Sequence, residues 1–115
     1  MSPINWPLLV AEVEVRSWTT AFEAFMRGER IIAPEMDEAH CRFGAWLNAE
    51  KHGARGALPA LYSLRALHEQ SHGLARHAAD SRLAGHDHEA EGFLAQLLDV
   101  RSRMLDTLKL MSSWN

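Results

Sequence analysis

The sequence predicts an all-α fold: an antiparallel helical bundle of three long helices plus one short helix. Three observations predict it. Apolar residues recur at spacings of three and four along three extended segments, the period of a single helix face. No segment alternates apolar and polar residues as a half-buried strand does. Glycine and proline punctuate the chain between these segments, where short connections belong. A chain of 115 residues fits one domain, residues 1–115, with enough core to fold alone.

The first helix is expected from about Trp6 to Arg27. Asn5 is placed to cap it, Pro7 suits its first turn, and Gly28 suits its end. Leu9, Val13, Trp18, Phe22 and Phe25 form its expected apolar stripe. A polar connection containing Pro34 follows. A short helix from about Glu38 to Glu50 carries Cys41, Phe43, Trp46 and Leu47. Lys51 to Pro59, KHGARGALP, reads as a loop.

The third helix spans about Pro59 to Leu83, where Gly85 ends it. Leu61, Leu64, Leu67 or His68, Ser71 or His72, Ala75 and Ala78 follow its period. Asp87 in GHDHE is expected to cap the fourth helix, about His88 to Ser112. Phe93, Leu94, Leu97, Leu98, Arg101, Met104, Leu105, Leu108 and Met111 form its stripe. Trp6, Trp18, Trp46 and Trp114 are expected to pack the bundle and a dimer seam.

Composition removes several functions. Hydrophobic residues make up 47% and charged residues 23%, a globular profile rather than a disordered one. The net charge of −3 comes with no basic patch, which argues against nucleic acid as a partner. No apolar run approaches the ~18 residues of a membrane span. The apolar N-terminal stretch has no basic region before it and does not read as a secretion signal. The single cysteine, Cys41, has no partner for an intrachain disulfide, and a reducing cytoplasmic setting is expected.

The third helix carries HEQSH, His68 to His72, a match to H-E-x-x-H. At i and i+4 the two imidazoles share a face, about 5–6 Å apart at Cβ, and both reach one ion. They continue the stripe of Leu61, Leu64, Leu67 and Ala75, so they face the bundle interior. Glu69 lies about 100° around the helix. A peptidase needs a third protein ligand and an open position for water. The extended protease pattern calls for glycine and histidine where this chain has Ala75 and Ala78. No strand is available to bind an extended peptide. The plain alternative is a pair of core histidines satisfied by hydrogen bonds.

The second constellation is HCRFGAWL, His40 to Leu47. Gly44 costs a helix about 1 kcal/mol relative to alanine, and its presence points to close approach by another helix. Cys41, three residues earlier, is expected on the same face. Cys-x-Phe-Gly-x-Trp, followed some 25 residues later by His-x-x-x-His on a helix, resembles the chemoreceptor zinc-binding domain family. The likeness is read over the whole chain. It is particularly similar to the zinc-sensing domain that precedes the catalytic domain of zinc-regulated diguanylate cyclases.

The resemblance implies a cytoplasmic helical bundle, commonly a homodimer, that binds zinc through one cysteine and three histidines and regulates a signalling partner. Cys41, His68 and His72 match three of those ligands. The fourth is a histidine three residues before a tryptophan. Trp18 matches the tryptophan, and the ligand position holds Val15. Glu14, Glu12, His40 and His77 are the alternatives for it; Glu12 and Glu14 are nearest on the first helix, with Glu14 about 100° away from Val15, and His40 and His77 point off the face. Water is a second way to fill the position, and a metal-free site with Val15 packed against Cys41 is a third.

The expectation is a non-enzymatic sensory domain whose zinc, and whose oxidisable Cys41 thiolate, modulate a signalling partner. The competing readings are a metal-free dimerisation module and a zinc hydrolase with Glu69 as base.

Overall fold

The computed structural model describes residues 6–112, the side chain of Trp6 excepted. It has four helices: α1 (Trp6–Met26), α2 (Arg42–Lys51), α3 (Pro59–Leu83) and α4 (Asp87–Ser112). There are no strands among the described residues. The expected roles of Asn5, Trp6 and Trp114 fall on side chains outside those described.

Two of the long helices, α1 and α3, end where left-handed backbone is needed. Gly28 and Gly85 have φ of 77° and 81°. At each, two hydrogen bonds close the last turn: Gly28 N–H to Phe25 O and Glu29 N–H to Ala24 O, then Gly85 N–H to Arg82 O and His86 N–H to Ser81 O. This is the Schellman arrangement, which a residue without Cβ adopts without penalty. Asp87 is the first residue of α4 rather than its cap; the His86 carbonyl accepts from Ala90 N–H one residue earlier than expected.

The C-terminal ends of α1 and α3 lie together, because Arg82 Nη1 donates to Phe25 O at 2.5 Å. These two helices therefore run the same way. The short turn before α4 sends it back antiparallel, where Arg101 reaches Glu23 on α1 at 3.8 Å. α4 is the common partner, packing against α3 most extensively and also against α1, while α2 touches both α1 and α3. The result is an elongated bundle of 50 × 24 × 22 Å.

The core fills the seam between these helices. Phe22, Leu61, Leu64, Leu97, Leu108 and Met111 are fully enclosed. Each contributes about 1.5–3 kcal/mol of burial relative to exposure. The expected stripe of α3 is buried, with Leu74 added. Along α4, Leu97, Met104, Leu105, Leu108 and Met111 are buried as expected together with Ala90 and Val100, whereas Phe93, Leu94, Leu98 and Arg101 are only half-buried at its margin.

The stripe of α1 is corrected. Leu9 and Val13 are exposed, while Leu8, Ala11, Val15, Thr19 and Phe22 are buried. LLVAEVEV offers apolar residues on two helix phases, and the phase containing Phe22 and Val15 packs against α4.

The start of α2 is also corrected. Residues 38–40 form a turn, and Cys41 occupies the N-cap with extended backbone, φ −78° and ψ 144°. Asp37 accounts for the late start. Its side chain accepts from Ala39 N–H at 2.9 Å and meets His40 Nδ1 at 2.8 Å. Such a side chain offers the backbone an alternative to helix.

Candidate metal centre

Cys41, His68 and His72 come together from two parts of the chain. All three are buried, and one ligand atom from each lies within 4.8 Å of the others. Cys41 stands at the entry to α2, and the histidines stand one turn apart on α3. Cys41 Sγ and His68 Nε2 are 3.5 Å apart. A tetrahedral zinc site, with Zn–S near 2.3 Å and Zn–N near 2.0–2.1 Å, has a sulfur–nitrogen edge of about 3.6 Å. The Cys41–His68 spacing matches that edge.

The imidazoles are held in orientation. The Met36 carbonyl lies 2.8 Å from His72 Nδ1 and can only accept. Nδ1 therefore carries the proton, and Nε2 keeps its lone pair for a metal. The Trp18 ring covers His72, with centroids 4.6 Å apart, and its Nε1–H donates to Glu35 O at 2.7 Å. Phe43 meets His68 edge-on at 5.2 Å. Trp18 thus belongs to the wall of the site. Trp46, half-buried, stacks on Phe43 at 5.7 Å.

Gly44 permits the contact between α2 and α3. A Cβ placed there would collide with the Glu38 carbonyl and come within 3.1 Å of His68 Cε1. The close approach expected of Gly44 is real, and it involves the chain's own preceding turn as well as α3.

Burial sets the charge states. It lowers the pKa of His68 to about 4, with repulsion from His72 adding to the effect. It also lowers His72, against the Met36 hydrogen bond. Both imidazoles are neutral at neutral pH, the form a metal needs. Burial raises the Cys41 thiol pKa, as do the charges of Glu14 and Glu35, while the Gly44 and Phe43 N–H groups oppose the rise. A cation between these groups reverses that balance by favouring the thiolate.

Between the three side chains lies a cavity of about 10 Å3, roughly the room one water needs. Val15, Trp18, Thr19 and Met104 also line it. Val15 is 3% exposed and occupies the wall where the family pattern implies a histidine. The other candidates divide. Glu14 lines the cavity and pairs with Arg42 at 3.6 Å. Glu12 is half-buried and not part of the lining. His40 is exposed and paired with Asp37. His77 is exposed and stacked on Phe93 at 5.3 Å.

Glu69 is exposed and lines a separate cleft of about 290 Å3 on the outer side of His68. It does not line the cavity between the three donors. Sequence reasoning missed the backbone carbonyls of Glu35 and Met36, which no side-chain motif encodes.

A family model described as the chemoreceptor zinc-binding domain matches residues 16–79, more than half of the chain. The chain belongs to that family. The match takes in the second half of α1, all of α2 and most of α3; it begins one residue after Val15 and ends before α4. No curated protein and no solved structure matches the chain. Zinc is the metal of the chemoreceptor zinc-binding domain family, and the Cys41–His68–His72 cluster is a donor set that fits it. No helix among the described residues is long and apolar enough to cross a membrane.

Proposed function

We propose that residues 1–115 form one zinc-sensing regulatory domain in which Cys41, His68 and His72 hold the ion. The observation that carries this reading is the meeting of three buried donors around a small cavity. Zinc there ties the entry of α2 to the middle of α3. It also ties down the connection between α1 and α2, whose Glu35 and Met36 carbonyls are held by Trp18 and His72. Binding free energy then adds to the conformation in which these parts are assembled. A signalling partner in the cytoplasm reads that change. Oxidation of Cys41 removes one donor and acts as release of zinc.

The domain acts by binding, and Glu69 has no catalytic role in this reading. Purified protein is expected to carry about one zinc per chain, and Cys41→Ala almost none, by elemental analysis. Glu69→Gln keeps its zinc. Absence of stoichiometric zinc in protein prepared without chelator sinks the sensor reading and leaves a metal-free interaction module, which the buried Val15 favours.

The partner proposed for the exposed face of α1 is a second copy. Leu9, Val10 and Val13 are 42%, 51% and 54% exposed on adjoining positions. Such an apolar face on a helix is stabilised by burial against another surface. Val13→Glu is expected to convert a homodimer to monomer in analytical ultracentrifugation, with the helix content unchanged by circular dichroism. A Val13→Glu protein that sediments as the wild type does assigns the dimer to another face.

A further inference from the structure

Val15 cannot bind a metal, so three donors leave a tetrahedral ion one short. Of the residues that border the cavity beyond those donors, Glu14, Thr19 and Ser71 carry a side-chain oxygen. The two hydroxyls are already engaged within their own helices. Thr19 Oγ1 donates to Val15 O at 2.8 Å, and Ser71 Oγ donates to His68 O at 2.6 Å. Glu14 remains, one residue from the position the family fills with histidine.

We infer that Glu14 supplies the fourth ligand: its carboxylate, outside the three donors that lie within 4.8 Å of one another, turns from Arg42 to the ion. This rests on the three-donor reading above. Two arguments support it. The tie to Arg42 is loose, at 3.6 Å to a guanidinium whose side chain is 86% exposed, and such surface pairs hold weakly. The second concerns charge: zinc with one thiolate and two neutral imidazoles leaves a net +1 in a buried site. The Glu14 carboxylate brings the set to neutrality, and buried uncompensated charge is costly. The ligand set becomes Cys-His-His-Glu in place of Cys-His-His-His.

The test compares wild type, Glu14→Gln and Cys41→Ala. Zinc affinity is read by competition with a chromophoric chelator, and the coordination sphere by the visible spectrum of the cobalt-loaded protein with and without azide. Glu14→Gln is expected to weaken zinc at least about tenfold. Azide is expected to shift the cobalt bands of Glu14→Gln and leave those of wild type unmoved, because only the variant has water at the fourth position. An azide shift in wild type, or equal zinc affinity in wild type and Glu14→Gln, overturns the assignment of Glu14. Equal zinc affinity in wild type and Cys41→Ala overturns the three-donor reading itself, a separate failure with its own signature.

Discussion

Replacing Cys41 with alanine is expected to lower zinc affinity by more than about 100-fold, above the usual effect of disturbing a residue that merely supports a ligand. It is also expected to remove most of the pH dependence of binding. Burial raises the Cys41 pKa, so in the metal-free protein the thiol keeps its proton at neutral pH. Zinc binds the thiolate, and one proton leaves for each ion bound. Affinity therefore climbs with pH, about tenfold per unit, until the pH passes the raised thiol pKa. The histidines add little to this slope at neutral pH. His68 titrates near 4, and His72 is also lowered, so both are already neutral. Isothermal titration in buffers of different ionisation enthalpy, from about pH 6.5 to 8.5, counts the proton. A slope near zero in wild type, or an unchanged slope in Cys41→Ala, contradicts the assignment of Cys41 as the ionising ligand.

Gly44→Ala is the second large effect. Alanine gains about 1 kcal/mol of helix propensity. The new methyl, however, strikes the Glu38 carbonyl and crowds His68 Cε1 at 3.1 Å. A backbone carbonyl cannot swing aside as a flexible side-chain end does. Overpacking of this kind costs about 1–3 kcal/mol and often more where backbone must move. A net loss of about 2 kcal/mol is expected in metal-free protein, a fall in Tm of about 8 °C or more. Zinc affinity falls with it, because the turn of residues 38–40 and His68 move apart. An unchanged Tm by differential scanning calorimetry shows that the contact is slack.

Much of the site was legible before the structure. His68 and His72 stand four apart within an apolar stripe, so helix periodicity alone sends both inward. Gly44 in a helical segment signals a close approach. Cys41 is a small, easily buried side chain near it. What remained hidden was joined through backbone. The Met36 carbonyl fixes the His72 tautomer, and the Glu35 carbonyl holds Trp18 over it. Every residue carries a carbonyl, so sequence gives no sign of which one is used. Asp37 was a readable signal for the late start of α2, since aspartate before a short helix favours a local turn over another helical residue.

α1 shows the limit from the other side. Leu8, Leu9, Val10, Ala11, Val13 and Val15 supply apolar residues to two faces of one helix, and local pattern cannot rank them. Packing against α4 ranks them, burying Leu8, Ala11 and Val15 and leaving Leu9, Val10 and Val13 outside. The sequence by itself determined four helices, their glycine stops and an inward pair of histidines, because period and backbone freedom are local properties. Only the tertiary structure decided which face of α1 is core, that Cys41 at a helix entry meets histidines 27 and 31 residues away, and that Glu14 rather than Glu12 borders their cavity. Those outcomes depend on how helices dock, and docking is settled by the fit of whole surfaces rather than by neighbouring residues.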